Sequence, residues 1–167
     1  MAPPATVTDA DLSRFDQDGF VVVRGLFNPD RDFSPVVAEY EAVLSTLVDN
    51  WVSGGHLQHA HAELPFTERL LRTVTESGQP YDLAMDISLP QTGIHTDTPM
   101  HHGPAVFGLL THPQLLDSVE RFIGPEIYSN PVQHTRIKLP EASLPSAART
   151  GLTSRIAWHQ DQGVITA

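Results

Sequence analysis

Apolar residues recur along this chain mainly at three- and four-residue intervals, and that period predicts helices. The clearest case is Val36, Val37, Tyr40, Val43, Leu44, Leu47, Val48 and Trp51, one stripe of a long helix that Gly54 and Gly55 end. A second helix carries Phe66, Leu70, Leu71 and Val74 on one face and stops at Gly78. A third follows His112-Pro113, with Leu115, Leu116, Val119, Phe122 and Ile123 inward and Gly124 beyond its end. Near the start, Thr8 or Asp9 can cap a short helix through Asp18, with Gly19 as its stop.

Two other patterns interrupt the helices. Phe20-Val21-Val22-Val23 is a continuous β-branched run, the pattern of a strand buried on both faces, and Gly25 and Asn28-Pro29 then turn the chain. Residues 79–111 are rich in Pro, Gly and Thr without sustained periodicity, as in functional or mobile stretches. Strand character returns late. Residues 126–139 look extended, Pro140 closes them, 141–153 is a small-residue loop, and Arg155-Ile156-Ala157-Trp158 reads as another strand. No internal repeat or low-complexity tract is present.

Composition removes several function classes. Lys and Arg total 10 against 20 Asp and Glu, a formal charge of −10, and Lys138 is the single lysine. Nucleic acids and anionic membranes need clustered cations, so neither is an expected partner. The absence of cysteine excludes disulfides, thiolate nucleophiles and Cys-ligated metal sites. The first residues, Met1-Ala2-Pro3-Pro4, do not read as a secretory signal. No apolar run approaches the roughly 20 residues of a membrane helix. The expectation is a cytoplasmic protein in a single domain over 167 residues, with a small molecule as its partner and an oligomeric state the sequence leaves open.

Candidate chemistry centres on His159-Gln160-Asp161. On an extended strand, side chains two apart share a face. One imidazole and one carboxylate there make two thirds of the two-His-one-carboxylate triad that suits ferrous oxygenases. Spacing alone does not single this site out, since His95-Thr96-Asp97 repeats it. The second copy lies among Gly, Thr and Pro, as a turn with a solvated histidine would. The loop His56-Leu57-Gln58-His59-Ala60-His61, with His101-His102 as candidates to join it, offers clustered imidazoles, but its ordinary reading is a polar surface loop. Neither a Gly-x-Ser-x-Gly elbow nor a phosphate-cradling loop ending in Gly-Lys-Ser/Thr occurs.

The stretch Trp158-His159-Gln160-Asp161-Gln162 resembles the metal-binding signature of the phytanoyl-CoA dioxygenase family of iron(II)- and 2-oxoglutarate-dependent oxygenases. The run from Phe15 through Gly19, Val21, Val22 and Val23 to Phe27 is similar to that family's amino-terminal helix, glycine and buried strand. The segment with Arg136, Lys138 and Pro140 resembles the strand preceding its metal motif. The resemblance implies an α+β fold, with helices over residues 1–125 and the first strands of a double-stranded β-helix (jelly roll, cupin-like) over 126–167. It implies His159 and Asp161 as Fe(II) ligands, with 2-oxoglutarate and O2 as co-substrates in hydroxylating a small organic molecule. It also suggests Lys138 near the co-substrate, with Asn130, Gln133 and His134 as candidates to line the pocket.

One departure shapes the expectation. The family completes its site with a later histidine and an arginine that pairs with the far carboxylate of 2-oxoglutarate. After Asp161 this sequence carries neither. The chain therefore reads as the amino-terminal part of a family member, inactive alone. The arrangement His95, Asp97 and His159 would complete a triad internally, but the 115–123 helix stands where strands would be needed. The competing reading is a non-catalytic, mostly helical binding or interaction domain.

Overall fold

Helices α1 (Asp9–Asp18), α2 (Ser34–Ser53), α3 (Phe66–Ser77), α4 (Asp82–Met85), α5 (Pro104–Leu110) and α6 (Pro113–Ile123) follow one another along the chain. They are seen in a computed structural model that describes residues 6–89, 93–98, 100–129 and 133–148. Internal contacts divide the chain into two compact units, Met1–Tyr40 with His102–Gln133, and Glu41–His101 with His134–Ala167. Among the described residues no helix is long and apolar enough to cross a membrane.

In the first unit, α1 starts where the sequence predicts. The Asp11 N–H donates to the Thr8 hydroxyl at 3.3 Å and the Thr8 N–H donates back to the Asp11 carboxylate at 3.0 Å, a reciprocal capping box. Gly19, at φ +76°, ends the helix in the left-handed region that glycine enters without penalty. Phe15 meets Phe122 edge to face at 5.0 Å between ring centroids, and Arg121 pairs with Asp9 at 2.5 Å, so α1 lies against α6. α5 begins on Gly103-Pro104, and the Ala105 N–H donates to the Glu39 carboxylate at 2.6 Å. Several large apolar side chains of this unit stand in solvent, among them Phe20, Val22, Phe107 and Ile123.

The core of the second unit draws on the α2 stripe. Leu44, Val48 and Trp51 are buried, as are Leu70 and Val74 of α3, Tyr81 and Met85 flanking and ending α4, and Leu139, Leu144 and Ala148 further on. Arg69 joins three pieces of this unit. Its guanidinium donates to the Ala60 carbonyl at 3.0 Å and to the Ser45 hydroxyl at 2.9 Å, tying α3 to α2 and to the loop between them. The Thr75 hydroxyl donates to the Ser143 carbonyl at 3.2 Å and holds the short turns at Glu141–Ser143 and Ser146–Ala148 to the far end of α3.

The expected α+β class fails over the described residues, which hold helices and no strand. Phe20-Val21-Val22-Val23 is irregular, with Phe20 and Val22 64% and 61% exposed rather than buried. The first strands of a double-stranded β-helix are likewise not found at 126–129 or 133–140. β-branched composition marks residues that suit a pleated, half-buried surface, but a strand exists only where another backbone pairs with it. At 133–140 the Thr135 N–H and the Ile137 carbonyl bond to the side chains of Asp86 and Tyr81. The 79–111 stretch is also more ordered than its composition suggests, since it contains α4 and α5.

Candidate functional site

Residues 134–139 alternate in exposure. His134, Arg136 and Lys138 are exposed, Thr135 and Ile137 are half-buried, and Leu139 is buried. Period two puts the first three on one side and the apolar residues toward the core. What fixes the segment is α4 and its flanks. Asp86 caps the C-terminal end of α4 in an extended conformation, at φ −82° and ψ 148°, so its side chain is free of the helix.

Asp86 is 4% exposed, and both its carboxylate oxygens are used. One accepts the Thr135 backbone N–H at 3.0 Å and the other meets His134 Nδ1 at 2.8 Å. The buried Tyr81 hydroxyl donates to the Ile137 carbonyl at 2.8 Å. Burial pushes the Tyr81 phenol above its ordinary value, partly opposed by a hydrogen bond with the Leu139 backbone, and the neighbouring Asp82 charge adds to the rise. Asp82, Asp86, Thr135, Arg136 and Ile137 enclose a hollow of about 10 Å³, room for one water at most.

A wider groove of about 340 Å³ runs past Val43, Leu47 and Asn50 of α2, Ala84 of α4, and Met100 and His101. That volume falls in the range of small-molecule sites. Of the residues singled out from the sequence, this groove takes in His101, while Lys138 and His134 are not among its described lining.

The structure places the other sequence candidates as follows. Lys138 is exposed beside buried Leu139, and Gln133 is half-buried in the first unit. His159, Asp161 and Asn130 lie outside the described residues. His95-Thr96-Asp97 is an exposed turn, closed by Thr98 N–H to the His95 carbonyl at 3.1 Å and His95 N–H to the Thr98 hydroxyl at 2.7 Å. In the histidine loop, His61 Nε2 lies 2.8 Å from Glu76, and Arg72 also pairs with Glu76. The His61 and Arg72 hydrogen bonds hold the Glu76 carboxyl below the usual glutamate range. Among the described residues no group of three His, Asp or Glu side chains stands close enough to hold a metal ion.

Asp86 and Tyr81 carry no motif in the sequence and were not foreseen. Each acts on a partner roughly fifty positions further along, which no local spacing reveals.

A family model described as Phytanoyl-CoA dioxygenase (PhyH) matches residues 15–166. No curated protein and no solved structure gives a significant match.

Proposed function

The chain belongs to the phytanoyl-CoA dioxygenase family, and from that premise we propose that it carries iron(II)- and 2-oxoglutarate-dependent oxygenase chemistry, hydroxylating a C–H bond of a small organic molecule in the cytoplasm. The observation that carries this reading is the span of the match, which takes in both His159 and Asp161. Their chemistry suits the metal, since a neutral imidazole and a carboxylate two positions apart supply two donors of a facial triad. When bound, the iron supplies the centre at which dioxygen and 2-oxoglutarate react. Among the described residues no three His, Asp or Glu side chains form a metal site by themselves.

The protein's own contribution in this reading is placement. Asp86 and Tyr81 fix residues 135–137, and the exposed Lys138 next along the segment is the residue proposed to lie near the co-substrate. The carboxylate pairing that a distal arginine gives has no counterpart after Asp161. These 167 residues are therefore expected to hold iron weakly and to consume little 2-oxoglutarate by themselves.

Ferrous-ion binding under anaerobic conditions tests the assignment. His159→Ala and Asp161→Ala should each weaken it by at least about tenfold, on the scale of perturbing a metal site. Unchanged binding in His159→Ala would remove His159 from the site. The helical character of the described residues favours one competing reading, a non-catalytic binding domain. That reading predicts no preference for ferrous ion over zinc at His159.

A further inference from the structure

Asp86 does more than a backbone anchor requires. An asparagine in its place could accept the Thr135 N–H equally well, and burying a carboxylate costs more than burying an amide unless both its oxygens are satisfied. The second oxygen is satisfied by an imidazole, His134 Nδ1 at 2.8 Å, and that contact reaches 48 positions along the chain. A carboxylate accepts and does not donate. The pairing therefore keeps the imidazole proton on Nδ1 and leaves the lone pair on Nε2, directed away from Asp86. The His134 side chain is 31% exposed, so Nε2 is within reach of a bound molecule, whereas Asp86, with 6% of its side chain exposed, is shielded. A carboxylate behind an imidazole is the arrangement that fixes tautomer and ring orientation wherever the other nitrogen must meet a ligand.

We infer that Asp86 is a positioning residue that locks His134 in its Nδ1–H form, so that Nε2 serves as the hydrogen-bond and proton acceptor for an O–H or N–H group of the small organic substrate. The identity of that ligand as the oxygenase substrate rests on the family reading. The state of the imidazole does not. His134 lies on the same side of its segment as Arg136 and Lys138, the side opposite buried Leu139.

Two measurements on the full chain decide the matter. The first is the long-range 1H–15N spectrum of the histidines. His134 should show a protonated Nδ1 and an unprotonated Nε2. In Asp86→Asn, whose oxygen can keep the Thr135 N–H while its amide donates to Nδ1, the proton should move to Nε2. The second is the rate at which diethyl pyrocarbonate acylates each histidine, read by peptide mass spectrometry. His134 should react faster than the turn residue His95, and Asp86→Asn should slow it by about tenfold, the usual size of such second-partner effects. Circular dichroism checks that the variant keeps its helices, and His134→Gln, with Asp86 retained, identifies the His134 resonances and peptide.

An Nε2–H form or a tautomer mixture in the wild type, or an acylation rate unmoved by Asp86→Asn, overturns the inference. If turnover is found, His134→Gln should raise KM for the organic substrate and leave ferrous-ion affinity intact, the reverse of His159→Ala. Failure of the oxygenase reading would remove the turnover and leave both imidazole measurements standing.

Discussion

Replacing Tyr81 with Phe removes one buried hydroxyl and its hydrogen bonds from the second unit. The ring stays, so the space it fills among the buried side chains does not change, and what is lost is the hydroxyl that donates to the Ile137 carbonyl at 2.8 Å and also bonds with the Leu139 backbone. A neutral bond of this kind contributes about 1 kcal/mol net, and leaving a half-buried carbonyl without a donor raises the cost to about 1–2 kcal/mol. Tyr81→Ala should cost about 3–5 kcal/mol, because it also empties the space of an aromatic ring. With a urea m-value of about 2 kcal/mol/M, the phenylalanine variant should unfold at a midpoint lower by about 0.5–1 M at unchanged slope.

A second readout follows from the phenol itself, whose ionisation burial pushes upward from 10.0. A proton held more tightly in the folded state stabilises it fully below the unfolded value, and that stability fades as pH rises past 10.0 toward the folded value. Wild type should therefore lose stability on strong alkalinisation in a way that Tyr81→Phe does not. Equal urea midpoints for wild type and Tyr81→Phe, or identical alkaline profiles, would refute the claim that this hydroxyl is buried and bonded.

Further outcomes can be checked with similar means. Glu76→Gln should matter at neutral pH and cease to matter in acid. The Glu76 carboxyl is held below its ordinary 4.5 by His61 and Arg72, so its contribution is present above that value and is lost as pH falls through the folded one; urea midpoints across pH read this directly. Leu70→Ala, at a fully buried position of α3, should destabilise by about 2–5 kcal/mol through lost burial and a residual cavity, seen as a lowered thermal midpoint.

Helices were legible in this sequence where periodicity and end signals agree. Thr8 with Asp11 and Gly19 frames α1, the 36–51 stripe fills α2, Gly78 closes α3, and His112-Pro113 with Gly124 frames α6. α5 escaped because seven residues give too few turns for a period to show. The run at 20–23 misled for a different reason. A β-branched sequence states what surface it would suit, and whether a backbone partner is present depends on the rest of the chain. The stretch at 158–162 could be singled out only through its resemblance to a known signature, and it lies outside the described residues. The pair formed by Asp86 and His134 could not be singled out, since it is assembled by tertiary placement from residues that lack any shared pattern.

The ties that hold residues 134–139, like the Thr75–Ser143 bond 68 positions apart, reach further along the chain than the Arg69 and His61 links. Arg69 finds its partners 9 and 24 positions away and His61 finds Glu76 at 15. Asp86 and Tyr81 must wait for residues 48 to 56 positions later. Loop-closure entropy makes a link of the longer kind about 1–2 kcal/mol dearer than one of the shortest. The local ties should form early, and the docking of 134–139, with the Ser143 turn, should come late during folding. The same order reversed describes opening, in which this segment detaches while α2 and α3 keep their Arg69 link. The Thr135 amide, bonded only to Asp86 among the described groups, should then exchange its hydrogen sooner than the amides inside α3. A fluctuation of that kind would release residues 134–139 without unfolding the helices behind them.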